Sequence, residues 1–545
     1  MKDVCVIGAG IAGMTAAVKC AEKGIRVTLV SPAPSERAQS VMAMGGINAV
    51  TTYCEEGDSV DCHAKDTLKG GCFIAGDDAV RGLCSHAGEI LDYLESIGTV
   101  FSVDEKGRPD RRAFGGQSHK RTYFCGSSTG KQIVSALVME VRRYEAMGLI
   151  VRRLFTNFYS ALIWDGVCYG AVLFDEKTNR PEIVYADALV IASGGLNTLF
   201  GKTTGAVQGG SYVTGKLFMQ GVELKNLEFI QYHPTTLETY QKKMLISEAV
   251  RGEGGRLFYK DDSGNPVYFM EGKYGLKGNL QTRDVVAREI YNTGKEVFLD
   301  ISFLDQKLIH ERLSEVYDVC MKYRGIDITK EPIPVTPSVH FFMGGIAVKN
   351  NHETNIRNLF AVGEAASIYH GANRLGGNSL LAAIYSGRVA ADEIASRESA
   401  GVRPDFSKEL LETEKTIRRS GSDDSSFPVM YVRDMVAEVM LKNLGIVRNK
   451  ESLEEGLESL EFYRSAAERI RYDASVQAFY NYSLMGVITL GKAVMESALF
   501  RKESRGAHYR SDYPEQEDDF GYSSIIRYCG DKLEIRYDRK REYES

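Results

Sequence analysis

The sequence has little proline, no long apolar run and no excess of basic residues, and each shortage excludes a class of protein. Proline accounts for 12 of 545 residues, which argues against long disordered linkers. No stretch approaches 18 consecutive apolar residues, so no membrane-spanning helix is predicted. Lys and Arg number 67 against 73 Asp and Glu, and the net charge of −6 argues against a nucleic-acid-binding protein. Because the first residues enter a strand and a glycine turn at once, no signal peptide is expected and a cytoplasmic location is predicted.

The cysteines lack any spacing that is typical of a metal site. There are ten, none forms a Cys-x-x-Cys pair, and the nearest group, at 54, 62, 72 and 84, matches no zinc or iron–sulfur pattern. We therefore expect scattered reduced thiols and no metal ligand. If the protein moves electrons through iron–sulfur clusters, those clusters lie on another chain.

The chain does have an ordinary globular composition with many glycines. Apolar residues make up 43% and charged residues 26%. A length of 545 residues corresponds to about three or four domains, or to one large body with insertions. Glycine accounts for 54 residues, above the usual ~7%. Because the excess falls in short clusters, we expect tight loops in which the backbone approaches a ligand.

The N-terminal residues have the pattern of a βαβ unit. A short apolar strand is predicted at 4–7 and an alternating one at 25–30, with a helix between them. Gly8, Gly10 and Gly13 form a G-x-G-x-x-G motif where a helix N-terminus presents free N–H groups to a pyrophosphate. The second strand usually ends in an acid that binds the ribose, but here the residue is Ser31. The pattern predicts dinucleotide binding and argues against ordinary NAD use.

Two later segments are predicted to return to this nucleotide site. Residues 188–192 form a buried-strand run that ends in Ser193 and Gly194. Residues 359–362 form another, which runs into a glycine and then Glu364. An acid is thereby placed at a strand end, where ligands bind in open α/β sheets.

The rest of the chain divides by pattern. The stretch of about 230–345 has its own glycine loops and helical patterns and is interpreted as a domain inserted into the first. From about 410 onward the pattern is helical and rich in charge. Residues 420–426 are the best candidate for a linker.

Five short segments combine histidine, arginine or carboxylate residues with glycine. They are QYHPT at 231–235, SEAVRGEGG at 247–255, TRD at 282–284, SVHFFMGG at 338–345 and HGANRLGGNS at 370–379. Their joint presence after a dinucleotide-binding start indicates a catalytic site. On these segments, and on RKESRGAH at 501–508, the chain resembles the flavoprotein subunit of succinate dehydrogenases and fumarate reductases over about residues 3–515.

The resemblance implies a fold, a cofactor and a reaction. The fold is an α/β Rossmann-like FAD-binding domain with an inserted α+β capping domain and a C-terminal helical domain. The expected boundaries are 1–229 and 346–409 for the FAD-binding domain, 230–345 for the capping domain, 410–520 for the helical domain and 521–545 for a C-terminal tail. FAD rather than NAD agrees with the missing ribose acid. The reaction is reduction of fumarate to succinate, reversible in principle.

The resemblance also assigns roles to individual residues. The cofactor residues are Gly8, Gly10, Gly13, Ser31, Ser40, Gly45, Gly46, Ser193, Gly194, Glu364, Ser379 and Leu380. The substrate residues are His233, Ser247, His340, Arg374 and Phe114, and the proton-transfer residues are Arg283, Glu248 and Arg251. A dicarboxylate needs cationic or donor groups at both ends, and arginine can bind a carboxylate at two points. Binding at both ends would fix the double bond over the flavin.

The resemblance divides these residues into a substrate clamp and a proton path. His340 and Arg374 would bind one carboxylate, and His233 and Ser247 the other. Arg283 would donate the proton. Because guanidinium hardly loses its proton, Arg283 would have to be reprotonated while it donates. Glu248 and Arg251 would form the relay that connects Arg283 to solvent.

Three departures from the family pattern are informative. Gln39 occupies the position of the histidine that links FAD covalently in other members, so FAD is expected to be noncovalent and fumarate reduction to be favoured over succinate oxidation. Ser247 stands where family members usually have threonine, which keeps the hydroxyl. Residues 209–212 replace the usual Thr-Gly-Asp-Gly, so one hydrogen bond to FAD is in doubt.

The sequence leaves rival functions open, and the resemblance implies partner subunits. The first rival is L-aspartate oxidase, which carries a glutamate before Gly-Gly to bind the substrate amino group, whereas this chain has Phe114. Other rivals are a reductase of another unsaturated carboxylic acid and a flavin-holding scaffold without activity. The expected partner is an iron–sulfur subunit, with a membrane anchor or a thiol-oxidising subunit as a further component. Such partners would hold the protein at the inner face of the membrane, and the electron donor is left open.

Overall fold

The structure is a computed structural model that describes residues 2–126, 128–206, 210–240, 242–399, 401–418, 427–470, 476–530 and 532–539. Its strands, β1 to β22 in chain order, are Asp3–Ile7, Arg26–Ser31, Ile47–Asn48, Arg111–Arg112, Thr122–Tyr123, Ile150–Leu154, Thr156–Trp164, Val167–Asp175, Arg180–Tyr185, Ala188–Ile191, Leu224–Lys225, Ile230–Glu238, Lys243–Leu245, Arg256–Lys260, Pro266–Val267, Val297–Asp300, Ile333–Phe342, Gly345–Ala347, Leu359–Ala361, Ala366–Ser367, Ser524–Cys529 and Lys532–Tyr537. Its helices, α1 to α16, are Ile11–Glu22, Val60–Gly70, Asp77–Ser85, Ala87–Ser96, Thr129–Ala146, Ser211–Met219, Ala249–Gly252, Phe269–Tyr274, Arg283–Asn292, Gln306–Arg312, Ser314–Arg324, Asn378–Ser396, Ser407–Arg418, Val429–Asn443, Lys450–Ala467 and Ala478–Phe500. The linker predicted at 420–426 lies outside the described residues.

A five-stranded parallel sheet, in the order β19-β10-β1-β2-β6, carries the nucleotide-binding turn. β1 lies at its centre, and its apolar residues are buried on both faces, as is typical of parallel strands covered by helices. The strands predicted at 188–192 and 359–362 are β10 and β19. In the sheet, β10 pairs directly with β1, and β19 pairs with β10. The C-terminal ends of all three strands therefore meet at the same edge.

The segment predicted as the inserted domain forms a second sheet. Its six strands have the order β13-β12-β17-β16-β14-β15 and pair antiparallel. Helices α7 to α11 lie between these strands in the chain, and a separate hydrophobic core holds sheet and helices together. β12 and β17, the longest strands of this sheet, carry two of the predicted substrate histidines.

Four helices, α13 to α16, make up most of the C-terminal part. Helix α16 has a mean hydropathy of 1.3 over its most apolar 18 residues and is long enough to cross a membrane, which a search for unbroken apolar runs missed. Because 72% of that window is buried, with α6 and α15 as its main neighbours, its apolar surface serves the protein core. Within 521–545, which was predicted as a tail, Ser524–Cys529 and Lys532–Tyr537 form the antiparallel pair β21–β22, and β21 pairs with β11.

Candidate active site

The turn between β1 and α1 requires glycine because backbones approach closely there. Gly8 has a φ of +111°, and a Cβ at this residue would lie 2.2 Å from the carbonyl oxygen of Ala192, directly after β10. A Cβ at Gly13 would lie 1.9 Å from the Gly8 carbonyl oxygen. Gly10 immediately precedes Ile11, the first residue of α1, so the positive end of the helix dipole lies at this turn. The arrangement suits a pyrophosphate.

Two serine hydroxyl groups in this part of the fold have no hydrogen-bond partner among the residues that the structure describes. The hydroxyl of Ser193, next to Gly194 after β10, is buried and has no hydrogen-bond partner, and neither has that of Ser211 at the start of α6. The Ser40 hydroxyl accepts from the Ile11 N–H at 3.3 Å. Buried hydroxyls are almost always hydrogen-bonded, so the orphaned ones fit a polar ligand such as FAD.

Other predicted cofactor residues lie at the end of β19 and the start of α12. Glu364 follows β19 and accepts from the Phe342 N–H at 3.1 Å. Burial raises the pKa of Glu364 to about 7, so at neutral pH this carboxyl exists partly in the protonated form. Ser379 and Leu380 belong to the first turn of α12, where unpaired N–H groups are available to an acceptor.

Two predicted cofactor positions make contacts of their own within the chain. The Ser31 hydroxyl donates to the Ala33 carbonyl oxygen and accepts from the Ala33 N–H at 3.2 Å, so it stabilises a local turn. Gln39 Nε2 donates to the Thr204 carbonyl oxygen at 3.0 Å. Thr204 in turn contacts His340, so Gln39 is connected through Thr204 to a predicted substrate residue.

Three arginines and one glutamate form a buried group, which we call the arginine cluster: Arg251, Arg283, Arg374 and Glu248. Arg283 Nε donates to Glu248 Oε2 at 2.8 Å, and Arg251 Nη2 lies 3.9 Å from Glu248 Oε1. Burial alone would raise the pKa of Glu248, but the charges of Arg283 and Arg251 and the Gly115 N–H, 2.9 Å away, hold it below its ordinary value. The cluster therefore carries three positive charges and one negative charge.

The positive charges of this cluster are poorly compensated. Burial, and after it the charge of Arg283, lower the pKa of Arg374 below its ordinary value. Arg374 Nε is buried without a hydrogen-bond partner, as are Nε and Nη2 of Arg251. A guanidinium nevertheless stays charged in proteins. The cluster thus has unused donors and an electrostatic demand for an anion.

Gln231 on β12 joins two guanidinium groups of the arginine cluster. Its Oε1 accepts from Arg283 Nη1 and from Arg374 Nη2, each at 3.0 Å. Its amide nitrogen donates to Asn373 Oδ1 at 2.7 Å and to the Arg374 carbonyl oxygen at 2.8 Å. Gln231 therefore fixes the distance between two like charges that repel each other. Gln231 is the first residue of the QYHPT segment, and no role was predicted for it, because the neighbouring sequence does not show which residues its side chain bridges.

Asn373 and Asp284 were missed for the same reason, although both lie in quoted segments. Asn373 Nδ2 donates to Asp284 Oδ1 at 2.7 Å. Burial raises the pKa of Asp284, which favours its neutral form. The pair ties α9, which starts at Arg283, to the loop that carries Arg374. A polar residue directly beside a candidate catalytic arginine is the signal that could have identified them.

The two predicted substrate histidines lie side by side. The ring centroids of His233 and His340 are 5.1 Å apart in a T-shaped arrangement. His340 Nδ1 lies 2.9 Å from the Thr204 hydroxyl, and His233 Nδ1 lies 3.0 Å from the Thr235 carbonyl oxygen. Burial, and then the charge of Arg283, lower the pKa of both rings well below the ordinary value. Both imidazoles are therefore neutral at neutral pH and add no charge to the arginine cluster.

Phe114 is held between glycine-rich backbone segments. A Cβ at Gly376 would lie 2.7 Å from its ring and one at Gly45 would lie 3.2 Å from it. Gly45 and Gly46 lead into β3, so this ring is in contact with a predicted cofactor segment. The residue after Phe114 donates its N–H to Glu248, which connects the aromatic segment to the arginine cluster.

Ser247 precedes Glu248 at the start of α7. Its side chain is buried, and its hydroxyl accepts from the Ala249 N–H at 3.2 Å. The arginine cluster and its contacts thus connect Gln231 and Gly115 directly to the predicted proton-transfer residues. Ser247 joins them through its neighbour in the chain, and no direct contact between its hydroxyl and either histidine is found in the described residues.

Comparisons with known proteins agree on one family. The family model described as FAD binding domain matches residues 3–380, and the model described as fumarate reductase flavoprotein C-term matches residues 433–543. The succinate dehydrogenase flavoprotein subunit of Bacillus subtilis is 35% identical over 95% of this chain and 92% of its own length. An L-aspartate oxidase of Pyrococcus abyssi is 34% identical over 96% of this chain and 98% of its own. A solved structure of FrdA from an E. coli quinol fumarate reductase has a TM-score of 0.89 at 29% identity and covers 98% of this chain and 96% of that one.

Proposed function

The chain belongs to the flavoprotein family of succinate dehydrogenases and fumarate reductases, and we propose that it reduces fumarate to succinate. It is an FAD-dependent oxidoreductase of this family, with a Rossmann-like FAD-binding domain, a capping domain and a C-terminal helical domain. The specific reaction goes beyond family membership, because relatives of similar identity include both succinate dehydrogenases and L-aspartate oxidases.

The charge of the arginine cluster is the observation that carries this proposal. Arg251, Arg283 and Arg374 contribute three positive charges and Glu248 one negative charge, while the two histidines are neutral. These four residues carry a net charge of +2, which favours a dicarboxylate dianion; Glu364, partly protonated at neutral pH, is a further group that acts on Arg374. L-Aspartate carries an additional ammonium group, whose positive charge would lie among buried guanidinium groups, which is costly.

Substrate binding uses both ends of the diacid. Arg374 would bind one carboxylate together with His340, and Arg374 Nε is a donor that has no protein partner. The Thr204 hydroxyl lies 2.9 Å from His340 Nδ1 and 3.3 Å from the Val339 carbonyl oxygen. When its proton points to the closer Nδ1, the Nε2–H of this neutral ring is left for the carboxylate. His233 and Ser247 would bind the other carboxylate. Holding both ends orients the alkene and lowers the entropic part of the barrier.

The proton path runs through the arginine cluster. Bound FAD would supply the hydride to one alkene carbon. Arg283 would donate a proton to the other carbon. Glu248 is ionised in the resting site, so it would pass to Arg283, 2.8 Å away at Nε, a proton that it takes from Arg251. Arg251, 3.9 Å from Glu248, would regain its proton from solvent. If the proton leaves Arg283 while another arrives from Glu248, Arg283 never exists as a free neutral guanidine, a form that guanidinium hardly adopts in proteins.

The FAD is proposed to be noncovalent. Gln39 has no nucleophilic ring nitrogen that could bond to flavin, and its amide nitrogen is hydrogen-bonded to Thr204. The glycine turn at Gly8 to Gly13 and the orphaned hydroxyl groups of Ser193 and Ser211 would hold the cofactor by close contact and hydrogen bonds instead.

L-Aspartate oxidation is the second candidate, and the relatives of that name at 34% identity favour it. A site for the substrate ammonium group needs an ionised acid that is free to pair with it. Glu248 is already paired with Arg283, and Phe114 offers an aromatic ring. These observations support fumarate rather than L-aspartate as the substrate. An unsaturated acid other than fumarate would have to carry two carboxylates to satisfy the same charge balance.

Partners and location stay predictions. An iron–sulfur subunit, with a membrane anchor or a thiol-oxidising subunit, would supply electrons, and the protein would work in the cytoplasm or at the inner face of the membrane. Flavoproteins with similar structures include one described as quinol-fumarate reductase with menaquinol molecules and one described as Sdh1 in complex with UQ1.

The test is a comparison of substrates on the purified flavoprotein. With a reduced dye as donor, we expect fumarate turnover and no reaction with the monocarboxylate crotonate. With oxygen or an oxidised dye as acceptor, we expect little or no L-aspartate oxidation. L-Aspartate oxidation without fumarate reduction would overturn the assignment. Flavin content measured in the same preparation shows whether a negative result comes from missing cofactor.

A further inference from the structure

The loop before α2, the first turn of α2 and the segment before β5 bring three metal-binding side chains together. A carboxylate oxygen of Asp58, the Sγ atom of Cys62 and a ring nitrogen of His119 all lie within 4.8 Å of one another. Ligands held about 2.0–2.3 Å from one zinc ion are roughly 3–4 Å apart, so small movements suffice to bind an ion here. Within the part of the chain that the structure describes, no other group of three such side chains comes this close.

The Asp58 carboxylate is held in place from behind. Arg121, which is completely buried, donates to it from Nη2 at 2.7 Å and from Nε at 3.2 Å, and the Ser59 N–H donates at 2.9 Å. Each carboxylate oxygen has further lone pairs, so these contacts orient the group and leave it able to bind a cation. Such outer contacts commonly fix the ligands of metal sites in proteins.

The charge around this group favours a cation. Asp66 shares Arg121 with Asp58, and Glu55 Oε2 lies 3.6 Å from His119 Nδ1. Two carboxylates share the guanidinium of Arg121 and a third, that of Glu55, lies beside His119, so these carboxylates and Arg121 together carry a net negative charge. The site lies outside the arginine cluster, which carries charge of the opposite sign.

The other two ligands are accessible to an incoming ion. Cys62 and His119 are partly exposed, and His119 keeps 25% of its side-chain surface in contact with solvent. Cys62 Sγ lies 3.6 Å from the Gly57 carbonyl oxygen, and a Cβ at Gly57 would lie 3.8 Å from the His119 ring. Both ligands therefore approach the same glycine turn, and water can complete a fourth position.

We propose that Asp58, Cys62 and His119 bind a divalent transition metal of the zinc class. A thiolate and an imidazole select such an ion over Mg²⁺ or Ca²⁺, which prefer oxygen ligands. On binding, Cys62 releases its thiol proton to solvent and the thiolate becomes the ligand. The ion would tie the loop at 54–62 to the segment that carries Phe114 and Gly115, two contacts of the active site. The expectation of no metal ligand arose because these residues are far apart in the sequence.

A cobalt titration of the FAD-loaded protein tests this proposal. The protein is treated with a chelator, desalted, kept reduced with a phosphine and titrated with Co²⁺, whose d–d bands in tetrahedral sites lie at longer wavelength than oxidised flavin. We expect one equivalent to produce these bands together with a sulfur-to-cobalt charge-transfer band, and Zn²⁺ to abolish both. Mg²⁺ at the same concentration should not displace cobalt.

Two ligand variants and one control decide where the ion binds. Cys62→Ser should abolish the charge-transfer band, and His119→Ala should weaken cobalt binding by at least about tenfold, the effect of removing even an outer contact at other sites. Cys529→Ser, which removes an exposed thiol elsewhere, should bind cobalt like the unchanged protein. Full FAD content and an unchanged circular dichroism spectrum verify folding. Absence of a tetrahedral spectrum, or a Cys62→Ser variant that retains the charge-transfer band, would overturn the proposal.

Discussion

Replacing Arg283 with lysine separates its charge from its geometry. The guanidinium makes two fixed contacts, from Nε to Glu248 at 2.8 Å and from Nη1 to Gln231 at 3.0 Å. A lysine ammonium keeps the positive charge but is a single point donor on a flexible stem, so it cannot reproduce both contacts and also point at the alkene carbon. At least one hydrogen bond to a charged group is lost, which costs about 1.5–3 kcal/mol.

We expect Arg283→Lys to reduce fumarate turnover by roughly 10²–10⁴-fold, the usual contribution of a general acid. This corresponds to about 3–5 kcal/mol in the activation free energy. FAD content should not change, because Arg283 contacts none of the predicted cofactor residues in the described structure. The assay is steady-state fumarate reduction with a reduced dye, normalised to bound flavin.

The matched control lies on the same helix. Arg288, also on α9, stacks on the ring of Tyr509 at 4.6 Å and takes no part in the arginine cluster. Arg288→Lys should keep kcat within a few-fold of the unchanged protein. If Arg283→Lys retained near-normal turnover with full flavin occupancy, Arg283 would be a carboxylate clamp and the proton-donor assignment would be wrong.

Three further predictions follow from contacts of the site. Gln231→Leu removes the shared acceptor of Arg283 and Arg374. Because hydrogen bonds to charged groups are lost, the KM for fumarate should rise by about tenfold or more. An unchanged KM would contradict the bridging role. Because Gln39 cannot bond to flavin, denaturation in acid should release all FAD, and in-gel flavin fluorescence on the denatured polypeptide would refute this. Burial raises the pKa of Glu364 from 4.5 to about 7, so the folded flavin-free protein binds this proton more tightly than the unfolded chain does. The free energy of unfolding should therefore fall by up to about 3 kcal/mol as the pH rises from 4.5 through 7. Glu364→Gln should remove this slope in urea unfolding measured across that pH range, and an identical slope in both proteins would argue against it.

Four of the five strands of the nucleotide-binding sheet were predictable from the sequence, and β6 was not predicted. β2 has an alternating pattern, and the other three have the continuous apolar runs of buried parallel strands. β1, β10 and β19 were all placed from such runs, together with the glycine turn between β1 and α1. The hairpin β21–β22 was not predicted, although β22 has the alternating pattern of a half-buried strand. Its pairing with the two-residue β11, which is distant in the sequence, is visible only in the tertiary structure. Helix α16 was missed as a long apolar helix because polar residues interrupt its sequence.

The site followed a similar division. Histidines and arginines beside glycines were selected by residue type, and His233, His340, Arg283 and Glu248 lie in or beside the arginine cluster. Gln231 had no such signal. Its role depends on β12 passing between two arginines that are distant in sequence, and this information exists only in the tertiary structure.

The hairpin at 524–537 has a consequence for synthesis of the chain. Ser524 on β21 donates its hydroxyl proton to the Glu228 carboxylate, 296 residues earlier, and Glu228 also binds the buried Arg501. At about 5–20 residues per second, a ribosome needs roughly 15–60 s to make the intervening segment. Until β21 is made, β11 lacks this neighbour, and until Arg501 is made, the Glu228 carboxylate lacks its buried counter-charge. The nascent chain therefore passes through a long period with an open sheet edge, in which a holding chaperone would protect it from aggregation.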